Sequence, residues 1–107
     1  MKISIVILSI LLLSFGILLQ KRLKNKAIIE ICKLFMEKRF ELCLEKIEKF
    51  LHRYPNSEEV WLIKGNIGNE LFNNQMAKNS FSKALSIKSD YPKALAGMGV
   101  VMRREIT

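Results

Sequence analysis

The chain has 107 residues, the size of one small domain, and half of them are hydrophobic, yet 18 Lys and Arg against 10 Asp and Glu give a formal charge of +8. Such apolarity excludes a disordered chain, two Cys exclude a disulfide-dense scaffold, and the length speaks against a multi-domain enzyme. The apolarity and the charge occupy different segments: residues 1–20 hold 14 of the 53 hydrophobic residues and a single charged side chain, Lys2, while residues 21–107 hold 39, an ordinary globular share.

The first segment, Ile3–Leu19, reads ISIVILSILLLSFGILL and is interrupted only by Ser4, Ser9, Ser14 and Gly16. At ~1.5 Å of rise per residue it reaches roughly 26 Å, against a hydrocarbon core of about 30 Å, and Lys2, Gln20, Lys21 and Arg22 can reach the headgroups. Residues 1–22 are therefore expected to be an uncleaved single-pass transmembrane anchor that enters the membrane through residues 3–19. The rival is a cleavable signal peptide, whose apolar run is ~7–15 residues and ends on small residues. Here the run is longer, and Leu18-Leu19-Gln20-Lys21-Arg22 contains no Ala-x-Ala-like site.

After the anchor come Lys21, Arg22, Lys24, Lys26, Lys33, Lys38 and Arg39, against Lys2 and the terminal amine before it. The cytoplasmic side keeps such an excess, so residues 23–107 are expected to face the cytoplasm, or the stromal or matrix side in an organelle. Lys21, Arg22, Lys24 and Lys26 would meet an anionic lipid surface. Residues 20–55 carry a net +5 and residues 56–107 a net +2, with no basic stripe interleaved with aromatics, so nucleic acid is not an expected partner. Cys32 and Cys43 lack a CxxC or Cys/His context and read as packing thiols in a reducing compartment.

From residue 24 onward the chain repeats itself. The middle register is Trp61 and Gly65, then Ala77, Phe81 and Ala84. A shift forward by the interval from Trp61 to Leu95 brings Gly65 onto Gly99, and the same shift backward gives Ala27, Ile31, Cys43, Ile47 and Phe50. Breaks fall at Tyr54-Pro55-Asn56 and at Ser89-Asp90-Tyr91-Pro92. The pattern predicts helices over about 26–37, 40–53, 57–72, 75–88 and 92–105, with Ser57 capping, Glu58 and Glu59 at the positive end of a helix dipole, and Asn73-Asn74 as a turn.

This rhythm resembles the tetratricopeptide repeat, a unit of about 34 residues read as W-x2-L-G-x2-Y, then A-x3-F, then P. The middle unit matches at Trp61, Gly65, Ala77 and Phe81, but Lys64, Gly68 and Ser89 stand in the Leu, Tyr and Pro positions. The first keeps Pro55, with Cys43 as its small residue and Ala27 and Ile31 in place of Trp and Gly; the third keeps Gly99, with Leu95, Met98 and Met102 at the Trp, Leu and Tyr positions. The resemblance implies an all-α fold: the transmembrane helix followed by a short right-handed α-solenoid of helix hairpins, about two and a half repeats, with units at about 24–57, 58–91 and 92–107. It also implies a concave groove for a partner's peptide or helix, lined by Ile28, Cys32 and Phe35, then Leu62, Asn66 and Asn69, then Ala96, Val100 and Arg103. Asn66 and Asn69 would hydrogen-bond a partner's backbone, and Phe35 and Leu62 would give apolar contact. Ile28, Cys32, Ala96 and Val100 depart from the Lys/Asn cluster of arrays that clamp a C-terminal carboxylate.

The last helix is unusual for a solenoid end, which normally turns a polar face to water. Residues 94–102 carry no charge, and Leu95, Met98, Val101 and Met102 are expected to form an apolar face. Either its small residues leave little area exposed, or the face docks on another protein, a second copy or the membrane surface.

Catalytic signals are weak. His52 is the only histidine and Asp90 the only aspartate, Glu41, Glu45 and Glu48 share a helical face with lysines, and no phosphate loop, metal cluster or nucleophile motif occurs. No enzyme activity and no cofactor are expected. The expectation is a membrane-anchored protein-binding module, an assembly or scaffolding factor for a membrane complex. Alternatives are a permanent accessory subunit and an exported periplasmic repeat protein of envelope maintenance.

Overall fold

The structure, a computed structural model, describes residues 2–106, and of Ile3 only the backbone. All regular structure among these residues is helical: α1 Lys2–Met36, α2 Phe40–Arg53, α3 Glu58–Glu70, α4 Asn74–Ile87 and α5 Pro92–Ile106. Two compact units divide the chain, Met1–Glu30 and Ile31–Thr107. The expected anchor boundary at residue 22 thus lies inside a helix, because nothing between Leu23 and Glu30 breaks helical propensity: Leu, Lys, Ala and Glu dominate, with neither Pro nor Gly.

In the first unit every described side chain from Ser4 to Phe15 is exposed, including Leu12 at 65% and Leu13 at 68%. This helix is long and apolar enough to cross a membrane. Ser9 returns its hydroxyl to the Ile5 carbonyl at 2.9 Å, so even this polar side chain leaves no donor facing outward.

In the second unit, each helix packs on its neighbour in sequence. α2 lies on α3, α3 on α4, α4 on α5, and α3 also reaches α5. The short links, 71–73 and 88–91, force α4 to run antiparallel to both α3 and α5, which leaves α3 and α5 parallel. α2 is tied to the end of α1 by the Cys43 thiol, which donates to the Ile31 carbonyl at 3.4 Å, and by Phe35 and Phe40, whose rings lie 5.8 Å apart.

The repeat spacing read from Trp61 and Leu95 holds at the helix boundaries. α1 and α3 end at Met36 and Glu70, α2 and α4 span 40–53 and 74–87, and α3 and α5 begin at Glu58 and Pro92. Buried positions recur likewise: Cys43 and Ala77, Ile47 and Phe81, Phe50 and Ala84, Val60 and Ala94, Ile67 and Val101. Where the later pair of helices has a glycine and an aromatic, Gly65 and Phe81, the earlier has two aliphatics, Ile31 and Ile47, so bulk moves from one side to the other with little change in total.

The turns repeat too. Lys38 (φ 59°) and Phe72 (φ 55°), one period apart, take the left-handed conformation that closes the ends of α1 and α3. Behind them the Arg39 amide donates to the Leu34 carbonyl at 3.0 Å and the Asn73 amide to the Gly68 carbonyl at 2.8 Å, the Schellman pattern that satisfies the last carbonyls. Without glycine the conformation costs ~1–2 kcal/mol. Asn73 then caps α4, its side chain accepting from the Met76 amide at 3.1 Å, whereas Ser57 occupies the cap of α3 without making a side-chain bond to the helix.

The core between α3, α4 and α5 is Leu62, Ala77, Phe81, Ala84, Ala94 and Val101, flanked by Trp61, Leu85, Tyr91 and Met98. Trp61 reaches the preceding turn, donating its indole N–H to the Pro55 carbonyl at 2.8 Å. Lys64, which departs from the leucine of the repeat pattern, pairs with Glu48 of α2 at 2.7 Å and lies 5.3 Å from the centre of the Trp61 ring.

Candidate functional site

A concave recess of about 480 Å³ opens on the side of the second unit formed by its odd-numbered helices. α1 contributes Phe35; α3 contributes Leu62, Asn66, Asn69 and Glu70; α5 contributes Lys93, Ala96, Gly97 and Val100. The floor is apolar because α3 and α5 are rotated by their contact with α4. Burying Gly65 and Gly68 on one helix, and Ala94, Gly97 and Val101 on the other, turns Asn66 and Val100 toward the opening.

The structure brings together Phe35, Leu62, Asn66 and Asn69, and with them Ala96 and Val100. Leu62, only 7% exposed, serves both as core and as floor. Ile28 lies in the first unit and is half-buried. Glu70 and Lys93, which sequence reasoning missed, line the recess as well, and both are exposed.

Two expectations about polar groups are corrected. Asn69 does not present a spare amide: its Nδ2 donates to the Gly97 carbonyl at 3.3 Å, and its Oδ1 accepts from Arg104 Nη2 at 2.6 Å. Arg104 also donates from Nη1 to the Asn69 carbonyl at 3.0 Å and from Nε to Asn74 Oδ1 at 3.1 Å, and it lies 5.4 Å from the Phe72 ring centre. Asn69 therefore joins α3 to α5, whereas Asn66, half-buried, makes no side-chain hydrogen bond with the described residues. Arg103, expected in the groove, is exposed and does not line the recess; a residue advances about 100° around a helix, and the phase set by Ala94, Gly97 and Val101 carries Arg104 inward instead.

The expected apolar face of the last helix is also redrawn. Val101 is wholly buried in the core and Met98 packs against it, so neither belongs to an outer surface. Leu95 at 54%, Met102 at 55% and Ile106 at 84% exposure remain outside, with Gly99 between them and nothing within 4 Å of where its Cβ would be.

A second hollow, at the turn between α1 and α2, is lined by Lys38, Arg39, Phe40, Glu41, Leu42 and Glu45. It is mostly polar and has no buried polar side chain aimed into it. Glu45 and Glu48 are both ion-paired, Glu45 with Lys49 at 3.7 Å, and His52 is exposed at the end of α2.

Both cysteines are free thiols, Cys43 fully buried and Cys32 half-buried. Burial, then the neighbouring Cys32, pushes the Cys43 thiol up to about 11; burial, then the negative charge of Glu59, raises Cys32. Both are kept protonated and unreactive at neutral pH, the opposite of an activated nucleophile. Among the described residues no group of His, Cys, Asp and Glu is placed to hold a metal ion.

Compared with known proteins, the chain matches no family model, no curated protein and no solved structure.

Proposed function

We propose that this is a single-pass membrane protein that presents a short tetratricopeptide-like array to the cytoplasm, or to the stromal or matrix side, and binds other proteins as an assembly or scaffolding factor for a membrane complex. The observation that carries the reading is the recess: of the nine positions that the resemblance implied, Phe35, Leu62, Asn66, Asn69, Ala96 and Val100 line one concavity, while Ile28, Cys32 and Arg103 do not. The recurrence of helix ends, left-handed turn residues and buried positions at one common spacing supports a solenoid of stacked hairpins. The exposed apolar helix supports the anchor, and Lys21, Arg22, Lys24 and Lys26 beyond it support an anionic lipid surface on the same side. The role is binding without catalysis or cofactor.

The test is site-specific photo-crosslinking in the native membrane, with the photoreactive group at Asn66 or Ala96 and, as a control, at exposed Lys83 on α4. A discrete protein adduct from the first two and none from the control is expected. Equal labelling from all three positions would remove the groove as the binding surface.

A second reading rests on the stripe Leu95, Gly99, Met102 and Ile106 along α5, an apolar surface that a permanent neighbour in a complex, or a second copy, would cover. A stoichiometric partner set that survives high salt after mild-detergent extraction would favour this accessory-subunit role over transient assembly.

A further inference from the structure

Two charges on the rim of the recess sit where their own helices disfavour them. Lys93 lies in the first turn of α5, which has no acidic residue there, and Glu70 is the last residue of α3, whose last turn has no basic one. The macrodipole makes a helix start positive and its end negative, so a lysine at the start and a glutamate at the end are each on the wrong pole. Neither side chain finds compensation inside the molecule: among the described residues, neither has an ion pair, hydrogen bond or ring contact. Both are exposed, and both line the same recess.

The geometry gives this pair a direction. α3 and α5 are parallel, so the start of α5 and the end of α3 are opposite ends of the recess. Lys93 stands at one end, Glu70 at the other, and Leu62, Ala96 and Val100 lie between them. The two helix dipoles add along the same line. An apolar floor bounded by a cation at the amino ends of its walls and an anion at the carboxyl ends complements a third helix running the other way.

We propose, on the basis of the groove-binding reading above, that the recess takes an amphipathic helical segment of a partner protein in one orientation, antiparallel to α3 and α5. Its carboxyl end, carrying an acidic side chain, meets Lys93; its amino end, carrying a basic side chain, meets Glu70; its apolar face lies on Leu62, Ala96 and Val100. Asn66, with its amide uncommitted, faces the middle of the segment and hydrogen-bonds a polar side chain there. The misplaced charges thus select the order of charges along the segment, and the parallel dipoles of α3 and α5 select its chain direction.

The test uses the full chain in a mild detergent and two fluorescent synthetic peptides of identical composition, each with one Leu/Ala face. One has Lys at its amino end and Glu at its carboxyl end; the other has these ends exchanged. Equal composition gives the two the same bulk hydrophobicity, the partition of each into protein-free micelles is measured and subtracted, and the exchanged peptide is the better helix former on its own, so a preference for the first cannot come from preorganisation. The first peptide is expected to bind ~3–10-fold more tightly at low salt, because it alone matches both charges and both dipoles in one orientation, whereas the exchanged peptide meets two like charges when antiparallel or two adverse dipoles when parallel; the difference shrinks at high salt. In the double variant Lys93→Glu with Glu70→Lys, which puts each helix pole right and keeps the fold by circular dichroism and Trp61 fluorescence, the preference inverts. Equal binding of both peptides, or the same preference in the double variant, overturns the orientation while leaving a groove that binds helices. Binding of neither peptide overturns the groove itself.

Discussion

Gly97 of α5 receives the ring of Phe81 from α4 so closely that a Cβ on Gly97 would overlap three ring atoms. The same ring lies against Gly65 of α3, where a Cβ would come within 2.5 Å of its Cε1. Phe81 is fully buried and held from both sides, so it has nowhere to move. Gly97→Ala and Gly65→Ala are each expected to lose ~1–2 kcal/mol of stability, overpacking outweighing the gain in helix propensity. Gly99→Ala, on the same helix but with nothing near its Cβ, should gain ~0.5–1 kcal/mol. Urea unfolding followed by the single tryptophan, Trp61, reads all three; a loss of stability in Gly99→Ala would contradict the open face of α5.

The two asparagines of α3 should part in the same assay. Asn69→Ala removes a bond to the Gly97 carbonyl and leaves Arg104 without its shortest partner, at an expected cost of ~1–3 kcal/mol. Asn66→Ala should stay within ~0.5 kcal/mol of the parent in stability while weakening partner binding. Equal destabilisation by the two would mean that Asn66 is also built into the fold.

The contrast between these residues shows what was legible in the sequence. The boundaries of α2 and the repeat spacing follow from apolar periodicity and from the Pro and Asn breaks, and those signals are local; the anchor and the first repeat helix, expected as two helices, form the single helix α1. Helix phase is less local. Arg103 and Arg104 are neighbours, and which one enters the structure depends on how α5 is rotated; Ala94, Gly97 and Val101, spaced three and four apart, held that information and place Arg104 in line with them. Phe72 and Lys38 in left-handed turns were not legible, because a residue at φ > 0 is foreseen from glycine or asparagine and neither is present at those positions. Glu70 and Lys93 were missed because charges at helix ends read as solvated surface until the recess between them is seen.

The thiols give a pH dependence with a fixed sign. The folded chain holds the Cys43 proton up to about 11, while the unfolded chain releases it near 9.0. Between these values the unfolded state binds fewer protons, so this contribution to stability is complete below pH 9 and is lost as pH rises toward 11, and Cys32, also raised, acts in the same sense. Cys43→Ala should flatten the alkaline limb of a stability-against-pH curve. The substitution has a precedent within the chain, since the equivalent position in the next repeat is the buried Ala77. An unchanged alkaline limb would assign that loss to other groups.

Topology is tested on the same thiols removed and one added. With Cys32 and Cys43 replaced by Ala, a single cysteine introduced as Ser86→Cys lies on an exposed position of α4. The proposed orientation, read from the Lys/Arg excess after the apolar helix, puts it on the cytoplasmic side, and on that proposal a membrane-impermeant maleimide should label it only after lysis. Labelling in intact cells would put the repeat unit outside and favour the exported reading.

The charges at the ends of the recess carry a stability cost that can be measured without any partner. Lys93 faces the positive pole of α5 and Glu70 the negative pole of α3, each unfavourable by ~0.3–1 kcal/mol at low ionic strength. Lys93→Gln and Glu70→Gln should therefore each stabilise the isolated chain by a few tenths of a kcal/mol or more, an effect that fades as salt screens the dipole. Lys83→Gln, which removes an exposed charge from the interior of α4, gives the baseline. Should either neutralisation destabilise the chain instead, that charge has a structural partner, and its position at the rim would reflect folding rather than recognition. Should both stabilise it and both reduce partner binding, the same two side chains that weaken the fold are those that define the direction of the groove, the usual relation between a site and the scaffold that carries it.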